Sequence, residues 1–140
     1  MRCIFKMASV EELKRFSNFV DLRIPGLYVI SPNLVKTSPI KIGYSKNLKR
    51  RLLKDYGNMW PWGFTVHMIA CIANARDAES FLKTTLGRTT LKYGSEFYDS
   101  EHIDHILNEV CSAHQKYAGT DPIGQQLFTA SNITIASKAY

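Results

Sequence analysis

KIGYSKNLKRR, residues 41–51, is the stretch of sequence on which the fold assignment of this chain depends. It lies where two predicted elements meet, since residues 39–44 indicate a short strand and residues 45–56 indicate a helix. Leu48, Leu52 and Tyr56 fall on one stripe of that helix. Four cations surround the stripe, namely Lys46, Lys49, Arg50 and Lys54. The stretch therefore predicts a strand followed directly by a basic amphipathic helix.

The segments on either side of this stretch predict an antiparallel sheet. Residues 27–31 are β-branched and aromatic, and a short polar connection joins them to the strand at residues 39–44, so the two should form a hairpin. Residues 64–73 alternate with both faces largely apolar, which is typical of a central strand covered on both sides. In this alternation Phe64, Val66, Met68, Ala70 and Ile72 share one face. We expect the three strands to form one sheet.

Three more helices follow from apolar spacing and capping residues. A capping box, from Ser9 to Glu12, begins a helix over residues 9–20. Asn74 can cap a second helix, which should end at Gly87. Its predicted buried residues are Ala78, Phe81, Leu82 and Thr85. Residues 96–98 are predicted to be short and extended. A third helix then starts at Asp99 or Ser100, and its inward residues are Ile103, Ile106, Leu107 and Val110.

The order of these elements predicts an α+β fold, in which helices flank a three-stranded antiparallel sheet. With 140 residues, of which 45% are hydrophobic, the chain can form one domain with its own core. We expect an N-terminal helical extension over residues 1–25, a central domain over residues 26–117 and a polar C-terminal tail over residues 118–140. Within the tail, Asn132 to Ile135 resembles a strand.

The positive charge of the chain is concentrated in one segment. The net charge is +6, and between Leu22 and Lys54 there are eight Lys and Arg residues and no acidic residue. The rest of the chain carries ten basic and twelve acidic residues. A concentrated basic segment within a folding unit predicts a polyanionic partner, although it is also typical of a solvated helix face.

Composition and cysteine usage indicate an intracellular protein. No apolar run approaches the roughly 20 residues needed to cross a bilayer, and the first residues do not have the pattern of a secretory signal. Cys3, Cys71 and Cys111 are odd in number and widely spaced, so we expect reduced thiols. The predicted location is the cytoplasm or nucleus, or a virion.

Several short motifs, in order, resemble the GIY-YIG nuclease domain. Gly26-Leu27-Tyr28 resembles the GIY element, and Lys41-Ile42-Gly43 resembles the YIG element in its Lys-Ile-Gly form. Arg51, eight residues beyond Gly43, matches the phosphate-contacting arginine of the family. Glu79, between Ala78 and Leu82, matches the metal-binding glutamate. The resemblance covers residues 26–112 and is to the branch found in phages, large DNA viruses and fungi.

This resemblance implies an endonuclease that hydrolyses nucleic-acid phosphodiester bonds, with DNA as the expected substrate. The implied catalytic residues are Tyr28, Lys41, Arg51 and Glu79, and Glu79 would hold a single Mg²⁺ or Mn²⁺ ion. Lys46, Lys49, Arg50 and Lys54 would bind the nucleic acid. Tyr28 can accept a proton from water only if neighbouring cations lower its pKa, and Lys41 is the expected cation. The product ends would be 5′-phosphate and 3′-hydroxyl.

The chain departs from the family pattern at two positions near this set. Lys83 stands where a histidine often follows the glutamate by four residues. Asp55 stands four residues after Arg51, where an aromatic residue or histidine is expected, and Tyr56 is one further on. Asn108 is the candidate for a late asparagine that some members use. The four histidines, at positions 67, 102, 105 and 114, are expected to be ordinary surface or core residues.

Two other functions are compatible with the sequence. The first is a catalytically weak or inactive GIY-YIG fold that serves as a structural component of a viral capsid or nucleoprotein assembly, with the tail contacting a lattice or a second copy of the chain. The second is a nucleic-acid-binding module in which Trp60 and Trp62 stack on unpaired bases.

Overall fold

The computed structural model describes residues 8–32, 39–56, 63–93, 97–117 and 126–137. Its elements, numbered in chain order, are β1 (Ala8–Ser9), α1 (Val10–Phe16), β2 (Gly26–Pro32), β3 (Ile40–Ser45), a π-helix (Arg50–Asp55), β4 (Phe64–Cys71), α2 (Ala75–Thr90), β5 (Leu91–Tyr93), β6 (Phe97–Tyr98), a 3₁₀ turn (Ser100–His102), α3 (Ile103–Tyr117), β7 (Leu127–Thr129) and α4 (Ala130–Ser137). The α+β class predicted from the sequence is confirmed.

The sheet is antiparallel, and its centre is formed by the three predicted strands in the order β4-β2-β3. The prediction of three strands was wrong, because the described residues form seven, in the order β1-β4-β2-β3-β6-β5 with β7 also paired to β4. The additional strands are two or three residues long. One of them, β6, lies in the segment at residues 96–98 that the sequence predicts to be short and extended. The other short pairings carry little apolar periodicity, so the sequence pattern does not indicate them.

Helices cover both faces of the sheet. On one face α1, the π-helix and α4 share a hydrophobic cluster with β2 and β4, whereas α2 and α3 share a second cluster on the other face. The predicted stripe of Leu48, Leu52 and Tyr56 is buried in the first cluster. The prediction for α3 is also confirmed, since Ile106 and Val110 are fully buried and Ile103 and Leu107 are partly buried against the second cluster.

A β-bulge interrupts the alternation predicted for residues 64–73. Val29 pairs with Met68 but Ile30 pairs with Val66, so His67 is an extra residue in β4. The apolar residues therefore change face at this point: Phe64 and Val66 lie in the first cluster, and Met68, Ala70 and Ile72 in the second. Both faces are apolar as predicted, but the assignment of all five residues to one face was wrong.

Local hydrogen bonds explain where α1 begins and ends. The predicted capping box is present, with Ser9 Oγ accepting from the Glu12 amide at 3.1 Å and Glu12 Oε1 accepting from the Ser9 amide at 3.1 Å. The helix ends at Phe16 instead of residue 20. Ser17 donates its hydroxyl proton to the Lys14 carbonyl at 2.7 Å, which satisfies a terminal carbonyl and competes with further helix.

The predicted end of α2 was wrong. The helix begins after Asn74, as expected, but continues through Gly87 to Thr90. A glycine that ends a helix usually adopts a positive φ. Among the described residues only Gly63 has a positive φ, so Gly87 does not have the backbone conformation that would end α2. Of the predicted buried residues, Ala78 and Leu82 are buried and Phe81 is partly buried, but Thr85 is exposed and Leu86 is buried in its place.

The C-terminal segment forms a strand and a helix on the same domain. Residues 132–135 are helical, which corrects the strand-like prediction. Thr129 Oγ1 accepts from the Asn132 amide at 3.3 Å, and Asn132 Oδ1 accepts from the Thr129 amide at 3.0 Å. These two reciprocal hydrogen bonds cap the N-terminus of α4. Ala130 and Ile133, one helical turn apart, are buried against α1 and the sheet. The described part of the tail therefore lies on its own chain.

Some sequence predictions lie outside the described residues, notably those for Cys3, Trp60 and Trp62 and for the connection at residues 33–38. In the part of the chain that the structure describes, no helix is long and apolar enough to cross a membrane.

Burial of His67 makes the stability of the fold depend on pH. Its side chain is 8% exposed, its Nε2 atom lies 2.8 Å from Ser31 Oγ, and burial lowers its pKa from 6.5 to about 4. The unfolded chain therefore binds the proton first, and stability is complete above pH 6.5 and is lost as the pH falls toward 4.

We expect the wild-type protein to lose up to about 3 kcal/mol of unfolding free energy over this pH range because of His67. Urea denaturation at a series of pH values measures the loss. His67→Gln should reduce the pH dependence, whereas His105→Gln, at an exposed position on α3, should retain it. Equal pH dependence in His67→Gln and wild type would contradict this assignment.

Candidate active site

An open cleft runs along β3 between the π-helix and α2. Its volume is about 550 Å³, and it is lined by Tyr28, Lys41, Ile42, Gly43, Tyr44, Ser45, Lys46, Asn47, Arg50, Arg51, Asp55, Tyr56, Glu79 and Lys83. Within the described residues, β3 pairs with β6 only at Ile40 and Lys41, so the rest of that strand edge faces the cleft. Five of the lining residues are cationic and two are anionic, which gives the cleft a positive charge.

The four predicted catalytic residues all line this cleft, although they are far apart in the sequence. Tyr28 comes from β2, Lys41 from β3, Arg51 from the π-helix and Glu79 from α2. Lys46 and Arg50, two of the four predicted nucleic-acid-binding residues, also line it. The fold thus brings residues from both faces of the sheet to one opening.

Gly43 provides the space in which Tyr28 lies. The two residues pair across β2 and β3, and a Cβ atom at position 43 would overlap the Tyr28 hydroxyl and lie 2.8 Å from its Cε2 atom. Any larger residue would therefore displace the ring. This contact gives a physical reason for glycine in the Lys-Ile-Gly element, and it directs the Tyr28 hydroxyl across the strand into the cleft.

The hydroxyl of Tyr28 forms a buried hydrogen bond. Its oxygen lies 2.6 Å from the Tyr56 hydroxyl oxygen, and the two rings pack edge to face with centroids 5.7 Å apart. Burial, followed by this hydrogen bond, raises the pKa of Tyr28 above its usual value, and the charge of Arg51 opposes the shift. The expectation that neighbouring cations lower this pKa was wrong, because the side chain is only 2% exposed and the effect of burial exceeds that of the Arg51 charge.

The π-helix explains how Tyr56 reaches this position. The Tyr56 amide donates to the Arg51 carbonyl, a bond that spans five residues instead of the four of an α-helix. A π-helical turn holds about one more residue than an α-helical turn, so Tyr56 lies on the same side as Arg51. The Arg51 guanidinium carbon is 5.8 Å from the centroid of the Tyr56 ring. The resemblance to the GIY-YIG domain led us to expect an aromatic residue or histidine four positions after Arg51, and Tyr56, five positions after it, lies beside its guanidinium group.

Arg51 is only partly neutralised within the cleft. Its Nε atom lies 3.9 Å from Asp55 Oδ2, which is within ion-pair range but too long for a hydrogen bond. This Nε atom is buried and has no hydrogen-bond partner among the described residues. A buried donor without a partner is unfavourable, so an acceptor oxygen from a ligand would stabilise it.

Lys41 is 9% exposed and lies over Phe97, with its Nζ atom 5.3 Å from the ring centroid. It pairs with Ile30, whereas Tyr28 pairs with Gly43, so Lys41 is two residues away from Tyr28 along the facing strand. Lys41 therefore adds a largely desolvated positive charge to one end of the cleft, where its attraction for an anion is stronger than in water.

Glu79 forms an ion pair with Lys83, with Nζ and Oε1 atoms 3.5 Å apart. Among the described residues, no group of three or more His, Cys, Asp and Glu side chains could hold a metal. A single carboxylate fits a Mg²⁺ ion whose other ligands are water and substrate phosphate, and it does not fit an ion held by protein alone. Such an ion would have to replace the ammonium group of Lys83.

Some predicted residues lie outside the cleft. Lys49 and Lys54 line a separate recess on the π-helix, and Asn108 is exposed on α3 and does not line the cleft. His67 and His114 are buried and His105 is exposed, in agreement with surface or core roles. Burial raises the pKa of the Cys71 thiol to about 12, so this free cysteine is not a nucleophile at neutral pH.

Sequence analysis assigned no role to two residues that contribute to the cleft. Tyr44 and Ser45 follow Gly43 in β3, and Ser45 accepts from the Asn47 amide at 3.0 Å to fix the turn into the helix. The pairing of Tyr28 with Tyr56 could have been predicted only if residues 50–55 had been recognised as a π-helix, because that helix places Tyr56 beside Arg51. Six-residue π-helices have no sequence signal that distinguishes them from α-helices.

Comparison of the chain with protein-family models, with curated proteins and with solved structures finds no match in any of the three.

Gly43→Ala tests whether the position of Tyr28 matters. We expect the added methyl group to displace the ring and break the bond to Tyr56. If the cleft has the nuclease activity that the resemblance implies, the rate of Mg²⁺-dependent plasmid nicking should fall by about 100-fold, as small misplacements of reacting groups do. Urea denaturation separates this effect from lost stability. Ile40→Val, which alters the same strand on its opposite face, should retain the rate. A Gly43→Ala protein that is folded and equally active would contradict this role of Gly43.

Proposed function

We propose that this protein is an endonuclease that hydrolyses phosphodiester bonds of nucleic acid, with DNA as its expected substrate, in a GIY-YIG-like site. One observation carries the proposal: Tyr28, Lys41, Arg51 and Glu79, identified by their resemblance to that family, line one positively charged cleft although they belong to four different elements. A chance resemblance in short motifs would not be expected to place all four side chains around one opening.

Arg51 is the residue best suited to bind the phosphate. Its guanidinium group is permanently charged and planar, so it can donate two parallel hydrogen bonds to phosphate oxygens. The guanidinium lies over the ring of Tyr56, and its Nε atom has no hydrogen-bond partner among the described residues. A phosphate oxygen that accepts from this Nε atom would replace the long contact with Asp55. Lys41 and Lys46 add positive charge, which favours the extra negative charge of the pentacoordinate transition state.

Tyr28 and Tyr56 form the proposed route for the proton of the attacking water. Tyr28 is a neutral phenol, because burial raises its pKa. Its hydroxyl proton can pass to Tyr56 as the Tyr56 hydroxyl releases its own proton to solvent in the cleft, and the Tyr28 oxygen then accepts a proton from the attacking water. The water oxygen forms a bond to phosphorus, the bond from phosphorus to the 3′ oxygen breaks, and the 3′ oxygen takes up a proton from solvent, which leaves a 5′-phosphate and a 3′-hydroxyl.

Glu79 would hold the single divalent cation, Mg²⁺ or Mn²⁺, that the resemblance implies. Such an ion supplies Lewis-acid stabilisation of the charged phosphate and of the leaving oxygen. Glu79 also raises the pKa of Tyr28 by its negative charge. Neutralising that carboxylate would therefore lower the pKa of Tyr28 and favour loss of its hydroxyl proton, which connects the two parts of the cleft.

Incubation with supercoiled plasmid and Mg²⁺ tests this proposal. Glu79→Gln and Arg51→Gln should each reduce nicking by about 10²–10³-fold, as expected for loss of a charge that stabilises the transition state. The matched controls are Asp77→Asn, on the first turn of the same helix, and Arg15→Gln on α1, both at exposed positions outside the cleft. The controls should retain wild-type activity.

Absence of nicking by the wild-type protein, or equal nicking by all four variants, would contradict the proposal.

A second candidate function is an inactive fold of this type that serves in a viral capsid or nucleoprotein. The observation that favours it is that both Glu79 and Arg51 have a counter-charge from their own chain, Lys83 and Asp55. The C-terminal segment adds no support, because the described residues 126–137 are packed on α1 and β4. A protein that binds DNA, does not nick it and assembles into particles would favour this candidate.

A further inference from the structure

A second basic recess lies beside the cleft, on the outer side of the π-helix. Its volume is about 310 Å³, and it is lined by Arg23, Asn47, Lys49, Arg50, Leu53 and Lys54. Four of these six residues are cationic and none is acidic. Asn47 and Arg50 also line the cleft, so the recess and the cleft adjoin each other at these two residues.

Two backbone hydrogen bonds place Arg23 next to the π-helix. The Leu48 amide donates to the Ile24 carbonyl at 3.0 Å, and the Lys49 amide donates to the Leu22 carbonyl at 2.8 Å. Leu22 and Leu48 are fully buried in the same hydrophobic cluster, which anchors both segments. The segment before β2 is thus fixed along the start of the helix, and Arg23 is held beside Lys49 by the fold.

Asp21 orients Arg23. Its carboxylate accepts from Arg23 Nε at 3.0 Å, from Nη2 at 3.2 Å and from the Arg23 amide at 2.9 Å. The hydrogen bonds from Arg23 hold the pKa of Asp21 below its usual value, and Lys49 contributes to the shift by its charge. Because four cations line the recess and Asp21 pairs with only one of them, Arg23, the recess keeps a positive excess.

The arrangement is more than a solvated basic helix face. The cations come from two segments separated by the whole of β2 and β3, and they surround a concave surface with the partly buried side chain of Leu53 within it. A random charge excess on a helix needs no contribution from a distant loop. The polar amide of Asn47, whose Oδ1 accepts from the Arg50 amide at 3.0 Å, fixes the backbone where the two openings meet.

We infer that this recess is a second phosphate-binding subsite, which holds a backbone phosphate of the same nucleic-acid strand whose scissile phosphate lies in the cleft. The inference rests on the proposed function for the identity of the ligand, a polynucleotide. Arg50 would lie between the two phosphates, and Arg23, Lys49 and Lys54 would contact the second one. Leu53 offers apolar contact to the adjoining sugar. Because phosphate contacts carry no base information, this subsite positions the strand without reading its sequence.

The test is binding of a fluorescent 20-base-pair DNA duplex of mixed sequence, measured by anisotropy in EDTA at several NaCl concentrations, so that no cleavage is required. The recess variant carries Arg23→Gln, Lys49→Gln and Lys54→Gln. A control variant carries Lys14→Gln, Arg15→Gln and Arg76→Gln, which changes the net charge equally at exposed positions outside both openings.

We expect the recess variant to bind at least tenfold more weakly at moderate salt. We also expect its slope of log affinity against log salt concentration to fall by about 2, and the slope of the control to change by less than 1. Thermal melts check that both variants are folded, and the single variants Lys49→Gln and Lys54→Gln provide the same comparison if the triple variant is unstable. Equal losses in the two triple variants, or no loss in the recess variant, would overturn the inference.

The outcome is separable from that of the proposed function. A protein that nicks plasmid but whose recess variant binds like the control would keep the hydrolytic proposal and refute the subsite. A protein that never nicks but loses affinity and salt dependence through the recess variant would refute hydrolysis and support the subsite.

Discussion

The hydrogen bond between the hydroxyl groups of Tyr28 and Tyr56, formed where the Tyr28 ring lies across Gly43, is the contact on which the arrangement of the cleft depends. It joins the central strand of the sheet to the π-helix. Tyr56 in turn lies beneath the Arg51 guanidinium, so the same contact fixes the position of the cation best suited to a phosphate. With a larger residue at position 43, or with an α-helix in place of the π-helix, the side chains of Tyr28, Arg51 and Tyr56 would not be in contact.

Two charged residues of the cleft, Arg51 and Glu79, each have a counter-charge nearby. Asp55 lies near Arg51, and Lys83 lies near Glu79. Both pairs are partly exposed to solvent, where an ion pair contributes little to stability and can be exchanged for other partners. A phosphate would compete for Arg51, and a divalent cation would compete for Glu79. Asp55 and Lys83, the two residues that differ from the pattern of the resembled domain, are thus the counter-ions of Arg51 and Glu79.

Much of the fold and of the cleft could be predicted from local sequence. The capping box at Ser9, the stripe of Leu48, Leu52 and Tyr56 and the three long strands each have a strong periodic or capping signal, and the four catalytic candidates follow from motif order. The remainder depends on tertiary structure. The bulge at His67 is an extra residue that alternation cannot reveal, and the π-helix differs from an α-helix only in which carbonyl each amide reaches. The raised pKa of Tyr28 arises from burial, which neighbouring charges in the sequence do not indicate.

The central claim is that a phosphodiester binds where Tyr28, Lys41, Arg51 and Glu79 meet. The most direct measurement is an NMR titration of the wild-type protein with a phosphorothioate DNA duplex in Ca²⁺, which follows the Arg51 Nε–H resonance and the backbone amides of Gly43 and Tyr56. We expect these signals to shift together with one dissociation constant, while the amides of α3 do not change. Shifts confined to α3 or α4, with the Arg51 and Gly43 signals unchanged, would contradict it.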